Sequence, residues 1–153
     1  MKQNYALGLL VIFVAGCATQ MVKENANDSC AKQGKKAFIF DAKQSGIPLF
    51  IESASASYLC VGPENVTHLP AIFGADAVSA SNFHGAGIFS VTPGSVADKA
   101  GLTPDDIVYE FAGRSIDRAT DLRVAVDSMS SGDLAIIKLR RDGGKDITVT
   151  ARF

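Results

Sequence analysis

The sequence has no tryptophan, only two histidines and three cysteines among its 153 residues. So few histidines leave little material for hydrolytic chemistry. A serine or cysteine nucleophile needs a base that is itself held by a third group, and no Gly-x-Ser-x-Gly turn is present. Two scattered histidines, with no Cys-x-x-Cys pair beside them, fall short of a metal-ligand set. His68 and His84 therefore read as surface or turn residues, and the chain as neither an enzyme nor a cofactor binder. An excess of one charge is also missing: 15 basic residues face 16 acidic ones, for a net charge of −1. That balance gives no footprint for nucleic acid. Beyond the first twenty residues no apolar run is long enough to span a bilayer, and there are no long internal repeats.

What is present begins with a targeting segment. Lys2 supplies a positive start, and Tyr5 to Val14 is an apolar stretch too short to cross a membrane. Val14-Ala15-Gly16-Cys17 follows and resembles a bacterial lipobox. The resemblance implies that residues 1–16 are a signal peptide cut before Cys17, whose thiol then carries a diacylglycerol and whose new amine is acylated. An ordinary cleavable signal peptide with an incidental cysteine is the alternative. Acyl chains at ~0.8 kcal/mol per buried CH₂ hold a protein on a membrane without a spanning helix. Ala18 is not the aspartate that resembles an inner-membrane retention signal, which points to the outer membrane, facing the periplasm.

Residues 17–34 are polar, with almost nothing apolar after Val22, and read as a flexible tether from the lipidated cysteine. Cys30 and Cys60 remain after Cys17. In an oxidising periplasm they are expected to pair, closing a loop of about 30 residues worth roughly 3–4 kcal/mol; two unpaired buried thiols are the alternative. Residues 35–69 form a small β-rich extension. Ala37-Phe38-Ile39-Phe40 and Pro48-Leu49-Phe50-Ile51 have strand composition, Ser45-Gly46 marks a turn between them, and Tyr58-Leu59-Cys60-Val61 is a third candidate strand. A hairpin packed on the main domain and a partner-docking surface are both open readings.

The most informative run is Ser90-Val91-Thr92-Pro93-Gly94-Ser95-Val96-Ala97-Asp98-Lys99-Ala100-Gly101-Leu102-Thr103-Pro104-Asp105-Asp106-Ile107-Val108. Pro93-Gly94 makes a turn, Ser95 caps a short helix with Asp98 three residues on, and Gly101 ends it. The run resembles the PDZ domains of bacterial envelope proteases, whose pattern is Gly-Ser-Pro-Ala-x-x-Ala-Gly-Leu-x-x-Gly-Asp-x-Ile. Val96 stands in place of the proline and Asp105 in place of a glycine. The resemblance covers residues 70–153. It implies an α+β fold: a PDZ-like, partly open antiparallel β-barrel or sandwich with two helices, here with a short N-terminal hairpin-like extension. Fewer than 70 residues precede it, too few for the catalytic domain of those proteases. The expected order is a strand over 72–78, a strand over 87–91, the short helix over 95–100 and a strand over 107–111. A longer helix follows, capped by Asp117 and burying Leu122, Val126 and Met129. Strands over 134–140 and 147–152 close the domain.

A PDZ-like domain binds an extended peptide as an added strand at a sheet edge beside a helix. The resemblance places the loop for the peptide's terminal carboxylate at Ile72-Phe73-Gly74-Ala75. Gly74 lets successive N–H groups turn inward, and the apolar neighbours make a pocket for the last side chain. Phe73 as plain core, with a loop that binds nothing, is the alternative. The resemblance also places Arg123 and Val126 where helix residues meet the ligand, Arg123 being equally readable as a solvated charge. A bulky residue at Gly74 is expected to block the amides and leave the fold intact. The closing Thr150-Ala151-Arg152-Phe153 fits the last strand and is a lesser candidate ligand for a neighbouring copy. Two functions follow. One is a lipid-anchored adaptor that captures C-termini or extended segments of envelope proteins. The other is a structural subunit of an envelope or secretion assembly, its PDZ-like domain packed permanently with the groove filled.

Overall fold

The computed structural model describes residues 20–47, 50–79, 81–142 and 144–153. The signal segment and Cys17 lie outside them. No described helix is long and apolar enough to cross a membrane.

The segment expected to be a loose tether is instead helical over 20–31 (α1). Its composition is polar, but Ala26 and Cys30, four residues apart and so on one face, are both buried against Ala37. Cys30 and Cys60 form a disulfide, with their Cα atoms 5.2 Å apart. Tertiary fastening, rather than intrinsic propensity, is what stabilises a helix this short.

The extension is a two-stranded antiparallel hairpin, β1 (Lys36–Ile47) with β2 (Phe50–Val61). Three short strands were expected. Ser45-Gly46 is not the turn: both residues lie inside β1, where the register shifts, and the connection falls at 48–49, outside the described residues. A second register shift between Ile39 and Asp41 leaves Phe40 as an extra residue, a bulge that re-aims the strand. Phe38 and Phe40 consequently both reach Phe83, with ring centroids 5.5 and 5.6 Å away. Phe38 also sits directly over Gly87, where a Cβ would collide with its ring. Lys36 lies 5.1 Å above the Phe89 ring. The base of the hairpin is thus clamped onto the main sheet through a separate apolar cluster containing Val61, Val78 and Ile107.

That sheet is antiparallel and open, not closed into a barrel. In spatial order it runs β3 (Val66–His68), β4 (Ala75–Val78), β5 (Ala86–Val91), β6 (Ile107–Phe111), β8 (Leu134–Arg141) and β9 (Lys145–Arg152), with β7 (Arg114–Ser115) paired to β6. With α2 (Val96–Lys99) and α3 (Ala119–Asp127) the described helices number three, one more than the expected pair. The short helix is capped as its sequence predicts: Ser95 Oγ accepts the Asp98 N–H, and Asp98 returns a carboxylate oxygen to Gly94 N–H at 2.7 Å. The cap of α3 differs. Asp121, not Asp117, accepts the N–H groups of Asp117 and Arg118, while Ser79 Oγ at the end of β4 accepts that of Ala119 at 2.7 Å. The main core lies between the sheet and the two helices, with Phe73, Phe111, Leu122, Val126 and Ile137 at its centre. Buried Asp106 is held there by both ends of the Arg141 guanidinium at 2.7 Å and by the Thr103 N–H at 2.8 Å.

Candidate functional site

The loop at 72–75 is a turn rather than the start of a strand: β4 begins only at Ala75. Phe73 and Gly74 both point their N–H groups at one atom, the carbonyl oxygen of Pro70, at 2.9 and 3.1 Å. Gly74 makes this possible with φ of +70°, a conformation costly for other residues. The loop is also fastened from behind. Thr92 N–H and Ser95 Oγ donate to Gly74 O, and Ala97 N–H donates to Phe73 O. A Cβ on Gly74 would collide with Ser95. A bulky residue there therefore damages the seat of α2, contrary to the expectation that the fold would tolerate it.

The four loop residues have separate fates. Ile72 is exposed, Phe73 is fully buried, and Ala75 is buried at the start of β4. Phe73 stacks on Phe153, centroids 5.8 Å apart at 11°, and meets Phe111 edge-on. Its ring is core, and its amide donates to the Pro70 oxygen. Phe153 is committed to this chain's own core, leaving it unsuited to serve a neighbour. On α3, Val126 is buried in the same cluster as Phe73, and Leu122 fills the core as expected. Arg123 is exposed and pairs loosely with Asp127 at 3.9 Å, one helical turn on.

The sheet edge expected to receive a peptide is already taken. β4 has β5 on one side and β3 on the other, with Val66 opposite Val78, Thr67 opposite Ala77 and His68 opposite Asp76. One step further, Leu69 N–H donates to Ala75 O at 3.1 Å. Leu69 is 7% exposed and belongs to the cluster of Phe73, Leu122 and Val126, and β3 packs against α3. Residues 66–70 thus lie in the cleft between β4 and α3. Sequence reasoning missed them. A three-residue strand shows no usable period, and the only signal was an apolar residue followed by proline directly upstream of the loop. An open cavity of about 420 Å³ is lined by Ser79, Phe83, His84, Asp117 and Arg118.

Across the outer strands His68 Nδ1 lies 2.6 Å from one Asp76 oxygen, and Ser90 Oγ donates to the other at 2.7 Å. The residue types are those of a hydrolytic triad, but the order is wrong. The aspartate sits between serine and histidine, so the imidazole is not placed to take the hydroxyl proton. The row is a set of cross-strand polar pairs. Among the described residues no group of three or more His, Cys, Asp or Glu is positioned to hold a metal ion. Two groups titrate away from their ordinary values, both outside the cleft. Burial pushes the Asp105 carboxyl up, against the Ile39 N–H and Lys23, and the Asp106 hydrogen bond pushes Arg141 up.

A family model for the PDZ domain matches residues 87–141, so the 72–75 loop lies outside the matched span. A probable periplasmic serine endoprotease DegP-like of Marinomonas sp. (strain MWYL1) is 36% identical over 81 residues, which is 51% of this chain and 17% of that protein. Its counterpart in Chlamydia trachomatis serovar D is 33% identical over 60 residues, 39% of this chain and 12% of that protein. The chain therefore spans less than a fifth of the length of these relatives. Among solved structures, the HtrA3 PDZ domain bound to a phage-derived ligand (FGRWV) aligns at a TM-score of 0.40 and 25% identity, covering 45% of this chain and 59% of that one. Over residues 87–141 the chain is thus similar to PDZ domains, and it resembles part of DegP-like serine endoproteases, on an α+β fold with an open antiparallel sheet.

Proposed function

We propose that this chain is a lipid-anchored envelope module, held at the outer membrane facing the periplasm. Its PDZ domain binds the C-terminus or an extended segment of another envelope protein and does no chemistry. The observation that carries the reading is the convergence of the Phe73 and Gly74 amides on a single oxygen beside the buried Leu69 side chain. Two inward N–H groups next to an apolar pocket are what a terminal carboxylate and its last side chain require. The Val14-Ala15-Gly16-Cys17 run supports the anchor, the Cys30–Cys60 disulfide suits an oxidising compartment, and the relatives are named as periplasmic. The test is fluorescence anisotropy with labelled peptides ending in leucine or valine, each as free acid and as amide. Charge-assisted hydrogen bonds to the carboxylate are roughly twice as strong as neutral ones. Amidation is therefore expected to weaken binding at least about tenfold, or ~1.4 kcal/mol. Equal binding of acid and amide would mean that the loop does not read a carboxylate.

One observation favours the second reading, a structural subunit of an envelope or secretion assembly: the cleft is filled by residues 66–70 of the chain itself. A domain that never opens would bind no peptide in either form.

A further inference from the structure

We propose that residues 66–70 are an internal ligand. They occupy the peptide site in the pose of a bound C-terminus, and an external peptide enters by displacing them. This rests on the peptide-binding reading above and specifies its regulation and its ligand chemistry.

Direction, edge pairing and burial match. β3 runs antiparallel to β4, so it travels toward the 72–75 loop, as a peptide ending there would. Leu69 donates its N–H to Ala75 O, the first residue of β4, and buries its side chain beside Phe73. The next carbonyl oxygen, that of Pro70, takes both loop amides. Leu69 therefore stands in for a ligand's last residue, and Pro70 O, one residue beyond where such a ligand would end, holds the loop amides that its carboxylate would have to take over.

The occupant is also replaceable. Only three residues pair along the edge, and Pro70 O is a neutral acceptor where a carboxylate would be charged. Leu69 leaving the pocket is offset by an aliphatic side chain entering it. Upstream of Val66 the segment turns away through Pro63–Asn65. Against displacement stands tethering. A linked ligand acts at an effective concentration of order millimolar, so a free peptide's apparent affinity falls by the fraction of time the site is open.

The occupant's own side chains give the ligand class. Alternation puts Thr67 on the face of Leu69, half-buried. His68 lies outward against Asp76. The expected ligand is a peptide ending in an aliphatic residue with a free carboxylate, a basic residue before it, and threonine before that.

The experiment uses the purified full chain and one probe, an amino-terminally labelled peptide of residues 62–69 ending in a free carboxylate, with its amide as control. Leu69 and Ala75 are a hydrogen-bonded pair, so alternation makes Thr67–Ala77 another and His68–Asp76 a non-bonded pair. Thr67→Pro removes a ladder donor from the edge strand without touching the core and is expected to bind the probe at least tenfold tighter than wild type. The double variant His68→Cys, Asp76→Cys joins two opposed positions close enough for a disulfide. Oxidised, it is expected to lose binding; reduced, it is expected to regain it, with wild type carried through both conditions. If locked, wild-type and Thr67→Pro proteins bind alike and all prefer the free acid, the internal-ligand proposal is overturned and the peptide-binding reading stands. If none binds, both fall. If Thr67→Pro does not fold, the lock decides alone: binding that survives oxidation overturns the proposal, and binding lost on oxidation and restored on reduction supports it.

Discussion

Asp105 holds a backbone conformation with φ of +74°, which most side chains avoid and aspartate tolerates better than most. Its carboxylate does what a glycine could not: one oxygen accepts the Ile39 N–H at 3.1 Å, tying the bulged part of β1 to the loop before β6. Lys23 of α1 lies 3.9 Å from the other oxygen. The cost is burial of a charge, which raises the carboxyl's pKa above its ordinary 3.8. A carboxyl raised in the folded state binds its proton more readily there. Its stabilising contribution is therefore full below the unfolded value and lost as pH rises through the folded one. Asp105→Asn keeps an acceptor and the tolerance for positive φ while removing the buried charge. Its melting temperature is expected to equal or exceed that of wild type at pH 7, with the gap closing below about pH 3.8. A variant less stable at pH 7 than at acid pH, relative to wild type, would show that the Lys23 pair outweighs burial. Asp105→Gly fits the backbone but strands the Ile39 amide, a loss of roughly 1 kcal/mol.

At the scale of elements, the contact between hairpin and sheet is Phe38 on Gly87. Gly87→Ala pushes a methyl into that ring, and overpacking of this kind costs typically 1–3 kcal/mol. Adding Phe38→Leu makes room, so the double variant is expected to be more stable than the sum of the two single losses in urea denaturation. Simple additivity would show that the two residues do not couple. The elements legible in the sequence are those whose signals are local. Ser95, Asp98 and Gly101 fix α2 within seven residues, and the alternation of Ile147, Val149 and Ala151 fixes β9. The illegible ones depend on distant partners. α1 owes its order to Cys60 and Ala37, and part of the cap of α3 comes from Ser79, forty residues away. β3 exists because β4 and α3 make a place for it. The candidate site was half legible in consequence. The Ile72–Ala75 turn is marked by its glycine, whereas the β3 segment beside it has no local signal of its own.

For the whole molecule, the proposed anchor would set where any of this operates. Cys17→Ser is expected to shift the protein from the membrane fraction to the soluble fraction, or to leave unprocessed precursor, with acyl labelling lost; labelling that persists in the variant would refute lipidation at that residue. The disposition of β3 has a kinetic side as well. His68 and Asp76 are separated by only eight residues along the chain, whereas β6 pairs with β8 across the whole of α3. Short loops close at less entropic cost and faster than long ones, and hairpins form within about 1–10 μs. A chain emerging unfolded on the far side of the inner membrane would therefore seat its own strand before the wall at α3 is built. If residues 66–70 are the internal ligand proposed above, no guest could be incorporated during folding. Every later arrival has to wait for an opening, and at high guest concentration the observed association rate should level off at the rate of that opening instead of climbing without limit.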